Sequence, residues 1–546
     1  MLNNHLWYKD AVFYEVYVRA FYDSNGDGHG DLAGLTQKLD YIKDLGVDCI
    51  WLLPTYPSPL KDDGYDIADY YDVHPDFGTL EDFKTLIDAV HKRGMRIITD
   101  LVLNHTSDQH HWFQEARSDP ASPYRDYYVW SDSQERYKEA RIIFVDTEDS
   151  NWAWDEEAGQ YYWHRFYSSQ PDLNFDNPKV REEMFKALKF WLDMGIDGFR
   201  ADAIPYLYER EGTNCENLPE THAFIKEVRA YMDEHHPECI LLGEANQWPE
   251  DVRPYFADGD ELHMNFHFPI MPRLYMALHQ GDVSSIKEIL ARTPEIPENS
   301  QWCIFLRNHD ELTLEMVEED EREWMWQAYA PEERMRLNLG IRRRLAPLLS
   351  NDLSKLLLAN SLLLTLPGSP IIYYGDEIGM GDNIWLEDRN GVRTPMQWDS
   401  SPNGGFSTAL NGSLYAPLVD SKEYRPSVIS VAMQQADPTS LLNRLKHMIS
   451  VRKAHPAFGR GDFTWEASIT NTSIAAYWRS YEGQQILVLQ NLSKEDQLIN
   501  LEMNHVKGNS LQDILTSQKL GLKKNDITIT LSAFEYHWYL LDRGDY

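Results

Sequence analysis

Three acidic residues stand at the ends of three short apolar runs. Asp202 closes Gly198-Phe199-Arg200-Ala201-Asp202, Glu244 closes Ile240-Leu241-Leu242-Gly243-Glu244, and Asp310 closes Phe305-Leu306-Arg307-Asn308-His309-Asp310. Each run is short and bounded by polar residues, which reads as a buried strand with a carboxylate where the strand stops. In a (β/α)8 barrel, the C-terminal strand ends face the active site. Acids gathered there point to glycoside chemistry, in which one carboxyl protonates the leaving oxygen and another attacks the anomeric carbon. Arg200 lies two residues before Asp202, so both side chains share one face of the strand. A guanidinium there keeps that carboxylate ionised. A proton-donating Glu244 needs a pKa raised by burial and neighbouring charge.

The elements that must position these acids repeat as strand then helix, the signature of a parallel α/β fold. Further strands are expected at residues 12–18, 49–53, 96–102, 263–268 and 371–375, with helices over 32–45 and 81–93. Asp202 and Glu244 are 42 residues apart, about one strand–helix unit, and Glu244 and Asp310 are 66 apart, about two. From Asp100 to Asp202 is 102 residues. That leaves roughly 60–70 inserted after the third strand, since one unit takes about 30. The excess before the eighth strand is expected to be helical over 331–349. Beyond Pro456 the pattern turns to alternation, as in Ser473–Trp478, Gln485–Leu489, Ile527–Leu531 and Tyr536–Leu540, which reads as antiparallel strands. The expected architecture is a TIM barrel (1–103 and 173–455), an inserted subdomain (104–172) and a C-terminal antiparallel β-sandwich (456–546).

Net charge is −36, which argues against nucleic-acid or anionic-membrane partners. No apolar run reaches the ~18 residues of a membrane span. The first residues lack a basic and an apolar signal region, so a cytoplasmic location is expected. The four cysteines, Cys49, Cys215, Cys239 and Cys303, show no metal or disulfide spacing and read as free thiols.

Four segments, Asp100-Leu101-Val102-Leu103-Asn104-His105, Gly198–Ala203, Gly243-Glu244-Ala245-Asn246 and Arg307-Asn308-His309-Asp310, resemble the signature regions of the α-amylase family, glycoside hydrolase family 13. Gln170-Pro171-Asp172-Leu173-Asn174 is similar to its fifth region. The resemblance implies Asp202 as nucleophile, Glu244 as general acid and base, and Asp310 as the third acid, which binds sugar hydroxyls. It implies His105 and His309 as transition-state histidines and Tyr65 as the platform under a glucose ring. Asp62 and Arg393 resemble the pair that grips the non-reducing end in exo-acting members.

Two structural cation sites are expected. Asp23, Asn25, Asp27, His29 and Asp31 place oxygen donors at alternate positions of a Gly-rich loop, which suits Ca²⁺ or Mg²⁺. By resemblance to the family, a Ca²⁺ would use Asn104 and Asp172, with the carbonyls of Tyr206 and Leu207 and the carboxylate of Glu209. Residues 209–222, 246–251 and 309–315 resemble those members of the family, the trehalose synthases, that interconvert maltose and α,α-trehalose. The resemblance implies these two disaccharides as substrates. Water must be kept out while the freed glucose turns over, so loops 206–222 and 308–320 are expected as a lid and minor hydrolysis to glucose as leakage. A homo-oligomer, dimer or tetramer, is a further expectation. The alternative activity is an exo-acting α-glucosidase of the oligo-1,6-glucosidase or maltase type.

Overall fold

The computed structural model describes residues 5–410, 413–503, 508–522 and 526–542. Eight strands close into a parallel barrel: β1 Phe13–Val16, β2 Cys49–Leu52, β3 Arg96–Val102, β4 Gly198–Asp202, β5 Ile240–Gly243, β6 Met264–Phe266, β7 Gln301–Phe305 and β8 Ser369–Tyr373. Closure is fixed by Phe13, which pairs with Cys49 of β2 on one side and Ile371 of β8 on the other. The strands are buried on both faces by the barrel interior and the helix ring, which is why they read as apolar runs rather than alternating ones.

Helix boundaries follow local chemistry. The helix Leu80–Lys92 starts at a capping box in which Thr79 accepts from Asp82 N–H and Asp82 accepts from Thr79. The single helix expected over 32–45 is two, Leu32–Gln37 and Leu39–Leu45. The break falls at Lys38, whose ammonium sits 4.0 Å and 4.2 Å from the ring centres of Tyr22 and Trp398.

Two expectations are corrected. Strand β7 ends at Phe305, so Asp310 lies five residues out in the following loop rather than at a strand end. Residues 331–349 are not one helix. They form a 3-10 turn at Glu333–Met335, a hairpin of Arg336–Leu337 with Gly340–Ile341, and one helical turn at Leu345–Leu348. Asn338 adopts φ +48° at the hairpin turn, and Arg342, Arg343 and Arg344 spend their guanidiniums on carbonyls and on Asp382 and Asp376. The helices of this stretch lie on either side, at Glu319–Tyr329 and Leu353–Thr365.

After β3 the chain builds the helix His111–Ser118 and a three-stranded antiparallel sheet of Trp130–Ser131, Gln160–Trp163 and Trp152–Asp155. Its small core stacks Tyr137 on Trp152 and sets Trp152 against Trp163 at 5.0 Å. The C-terminal region pairs a six-stranded antiparallel sheet with a two-stranded one, Gln497–Glu502 and Asp526–Leu531. Leu487, Leu489, Ile499, Leu501 and Leu531 fill the space between the sheets. The opposite face, with Ala475, Tyr477, Val488 and Trp538, joins the barrel's own core. All four cysteines are free thiols. Among the described residues no helix is long and apolar enough to cross a membrane.

Gly198, which opens β4, has φ +142°, and a Cβ there would lie 2.2 Å from the carbonyl oxygen of Ile240. Backbone cannot yield as a flexible side chain can. Gly198→Ala is therefore expected to destabilise the protein by about 1–3 kcal/mol. A urea midpoint that does not move would contradict this account of how β4 meets β5.

Candidate active site

Asp202 is the last residue of β4 and Glu244 the first after β5. The parallel register sets Ala201 beside Gly243, so both acids emerge at the same rim. One guanidinium joins them. Arg200 donates through Nη1 to Asp202 Oδ1 and to Asp100 Oδ1, the latter at 2.7 Å, while its Nη2 lies 2.6 Å from Glu244 Oε1. Asp100 is held in turn by Trp51 Nε1 at 2.7 Å and Tyr65 OH at 3.2 Å. The second oxygen of Glu244 accepts from the N–H of Ala203, a residue in the left-handed conformation with φ +49°. Strained backbone beside a nucleophile candidate is a known mark of functional sites.

The two acids titrate in the order a retaining mechanism needs. Burial raises Asp202 to about 6, with Arg200 opposing the shift. Burial raises Glu244 further, to about 8, with Asp202 and Asp310 adding repulsion against the attraction of Arg200. At pH 7 Asp202 is mainly ionised and Glu244 mainly protonated. Asp310 is held below the usual carboxylate range: burial alone would raise it, but His309, Arg389 and Arg393 outweigh burial.

Asp310 is reached through its loop by two arginines, Arg389 Nη1 at 2.7 Å and Arg393 Nη2 at 3.1 Å, both on Oδ1. Its Oδ2 lies 3.2 Å from His309 Nε2. His309 stacks on Tyr65, rings 5.3 Å apart and 9° from parallel, and its Nδ1 lies 2.5 Å from Glu15 Oε1. His105 also faces the pocket, and its buried Nε2 has no partner among the described residues.

Of the two residues expected to grip the non-reducing end, Asp62 lines the pocket and Arg393 is not among the lining residues. Asp62 pairs with Arg389 Nη2 at 2.5 Å and with Gln170 Nε2 at 2.9 Å. Arg393 instead bonds Asp63 Oδ2 at 2.6 Å, behind the pocket wall. The 3-10 turn Asn390–Val392 separates the two arginines and turns them onto the same partner, Asp310. Sequence reasoning missed Arg389, Glu15 and Asp100 as site residues. Glu15 carried a usable signal, an acid inside an otherwise apolar strand, where an unpaired charge would be costly.

The cavity is about 120 Å³ and is lined by Tyr65, Asp202, Glu244, Asp310, Asp62 and Arg389, with Phe144 and Phe166 of the insert and Tyr206, Asn246, Thr313 and Glu315 of the barrel loops. Arg141 of the insert, outside the lining, ties two of these loops together. That side chain bonds Glu216 Oε1 and Glu315 Oε2, each at 2.9 Å, and Tyr206 OH at 3.2 Å. Arg165 joins Glu216 at 3.0 Å, and Gln247 reaches its other oxygen at 3.3 Å. Both loops expected as a lid are thus tied to the insert.

The two expected cation sites differ. Asp172 and Glu209 are buried, and each has one oxygen without a partner, Asp172 Oδ2 and Glu209 Oε1. Burial pushes Asp172 up to about 8; burial and then Asp172 push Glu209 well above its ordinary value. Two crowded carboxylates with spare oxygens beside Asn104 fit a hard cation. In the 23–31 loop the oxygens are engaged. Asp23 accepts from the N–H groups of Asn25, Gly26 and Gly28 and from Ser407, Asp31 from Ser24 and Gly34, and Asp27 from His29 N–H and the Asn25 amide. Among the described residues no three His, Cys, Asp or Glu side chains converge as a metal cluster.

The "Alpha amylase, catalytic domain" model matches residues 15–331 and 341–461, and the "Maltogenic Amylase, C-terminal domain" model matches 468–538. The chain belongs to the α-amylase family, glycoside hydrolase family 13. It is 56% identical to "Trehalose synthase/amylase TreS" of Mycolicibacterium smegmatis, over 99% of this chain and 93% of that one. It is 51% identical to "Trehalose synthase" of a Pimelobacter species, over 99% and 96%. Among solved structures, a trehalulose synthase from Pseudomonas mesoacidophila superposes with a TM-score of 0.79 at 29% identity, covering 98% of this chain and 99% of that one.

The titration order makes a prediction. The kcat/KM for glucosyl transfer should be bell-shaped, falling below about pH 6 as Asp202 is protonated and above about pH 8 as Glu244 loses its proton. Glu244→Gln should remove the alkaline limb on an α-glucosyl substrate whose leaving group needs no proton. An alkaline limb that survives in that variant assigns the proton donor elsewhere.

Proposed function

We propose that the protein interconverts maltose and α,α-trehalose by intramolecular glucosyl transfer, with hydrolysis to glucose as a minor leak. The observation that carries this reading is a nucleophile–acid pair inside a pocket walled behind by Asp62–Arg389, with Arg141 of the insert holding the loops beside it. The similarity to enzymes named trehalose synthase over nearly the whole chain supports it.

Glu244 gives its proton to the glycosidic oxygen as Asp202 attacks the anomeric carbon. The bond to the second glucose breaks, and a β-glucosyl ester forms on Asp202. Arg200 keeps Asp202 ionised before attack and offsets the charge on Glu244 after it. Asp310, His309 and His105 hold hydroxyls of the transferring ring, with Tyr65 against its apolar face. The freed glucose stays inside and presents its own anomeric hydroxyl. Glu244, now a base, takes that proton as the oxygen attacks and the ester bond breaks. Two inversions leave the α configuration at the transferred carbon. Water admitted during the interval gives glucose instead, so enclosure decides the product.

We further propose that Asn104, Asp172, Glu209 and the carbonyls of Tyr206 and Leu207 hold a structural Ca²⁺ that ties the insert to the barrel. A second Ca²⁺ or Mg²⁺ is proposed at the 23–31 loop, where it would compete with the loop's own N–H donors. Four free thiols and a net charge of −36 suit a reducing, cytoplasmic setting.

Carbon NMR of purified protein with maltose should show trehalose rising to a steady ratio, and maltose from trehalose in the reverse run. Glucose alone would make this an exo-α-glucosidase. Arg141→Ala should raise glucose formed per trehalose severalfold, because the loops it ties together loosen; an unchanged ratio would remove the lid role. Chelation should lower the thermal midpoint and Ca²⁺ restore it. Asp172→Asn should lose one bound Ca²⁺ per chain by elemental analysis, while unchanged stoichiometry would refute that site.

A further inference from the structure

A second cavity, of about 210 Å³, lies directly behind the closed end of the pocket. It is lined by Tyr17, Arg19, Leu60, Asp63, Arg393 and Tyr415, among others, and reaches the surface at Lys61, Asn390 and Pro417, all exposed. A space of that size holds on the order of ten waters. A shared layer of side chains, from adjacent residues of the same two segments, lines both cavities. Neighbouring residues face opposite ways: Asp62 and Arg389 look into the sugar pocket, while Asp63, Asp388 and Arg393 look into the rear chamber. Arg393 spans the layer, bonding Asp63 on the chamber side and Asp310 and the His309 carbonyl on the other, at 2.6, 3.1 and 2.9 Å.

The chamber side is built with unusual care. Asp63 also accepts from Tyr17 OH at 2.9 Å and lies 3.6 Å from Arg19. Leu60, Asp63 and Asp388 all hold left-handed backbone, with φ of +56°, +48° and +49°. Three such non-glycine residues around one small cavity mark a segment whose shape is held by its surroundings.

We propose that the Asp63–Arg393 pair is a rear seal that keeps chamber water from the glucosyl–Asp202 ester, and so sets the ratio of isomerisation to hydrolysis. This rests on the transfer reading above. If the seal parts, a water oxygen bonds to the anomeric carbon, the bond to Asp202 breaks and Glu244 takes the water's proton. Two molecules of glucose then leave per maltose. Asp63 acts through Arg393 and does not touch the sugar; it is a positioning residue.

The test uses Asp63→Asn, because asparagine tolerates left-handed backbone and the change removes charge without new strain. Glucose and trehalose formed from maltose are measured for the parent, for Asp63→Asn, for Ala416→Phe, which fills the chamber, and for both together. The expected result is a glucose-to-trehalose ratio about threefold higher in Asp63→Asn, as weakening of one hydrogen bond in the seal would give. KM for maltose should hold, and Ala416→Phe should return the ratio to the parent value. An unchanged ratio in a folded, trehalose-forming Asp63→Asn overturns the seal. Should that variant fail to fold, Ala416→Phe alone must lower the parent's ratio, and no lowering overturns the proposal. A parent that forms no trehalose refutes the transfer reading itself, which is a separate outcome.

Discussion

The whole active-site arrangement hangs on one buried guanidinium. Arg200 sits inside the barrel rim and holds Asp100, Asp202 and Glu244 at once. Three carboxyl groups in so small a volume could not all be ionised without it, since burial and mutual repulsion raise each of them. One cation among three acids leaves the group unevenly charged. Glu244, where repulsion from Asp202 and Asp310 adds to burial, keeps its proton, while Asp202, whose burial Arg200 opposes, gives its proton up more readily. The division of labour between donor and nucleophile is therefore a consequence of where one charge is placed. Removing one partner of such a buried group costs about 3–5 kcal/mol, so fold and chemistry are bound to the same contacts.

That chemistry is common to many glycoside-active barrels and does not by itself choose between water and a second sugar. What distinguishes a transferase is enclosure. Here the walls are ion pairs rather than apolar plugs. Arg141 draws together side chains from the insert and from loops after β4 and β7, and Arg389 closes the far end against Asp62. Ion pairs of this kind can part and re-form, which suits a pocket that must admit a disaccharide and then seal around two glucose units.

Much of this was legible in the sequence because it is carried by short, local patterns. The barrel strands are apolar runs, and Asp202 and Glu244 sit where such runs stop. The C-terminal sheets announced themselves by alternation. Asp310 was located but misplaced on its element, since the strand stops at Phe305 and the polar Arg307, Asn308 and His309 already belong to the loop. Residues 331–349 looked helical on composition, yet Pro347 and the turn at Asn338 break them up. That Arg389 rather than Arg393 lines the pocket beside Asp62 could not be read from the sequence, because the two lie four apart in one loop, and only the 3-10 turn between them decides which guanidinium faces the cavity. Contacts between distant segments, such as Arg141 with Glu216 and Glu315, leave no trace in local pattern.

The central claim is that one closed chamber passes glucose from one oxygen to another without releasing it. The direct measurement is conversion of unlabelled maltose in the presence of excess carbon-13 glucose, with the trehalose analysed by mass. Retention inside the chamber predicts unlabelled trehalose at early times, whatever the external glucose concentration. Trehalose that carries label in proportion to external glucose would show that the acceptor enters from solution, and would contradict the account.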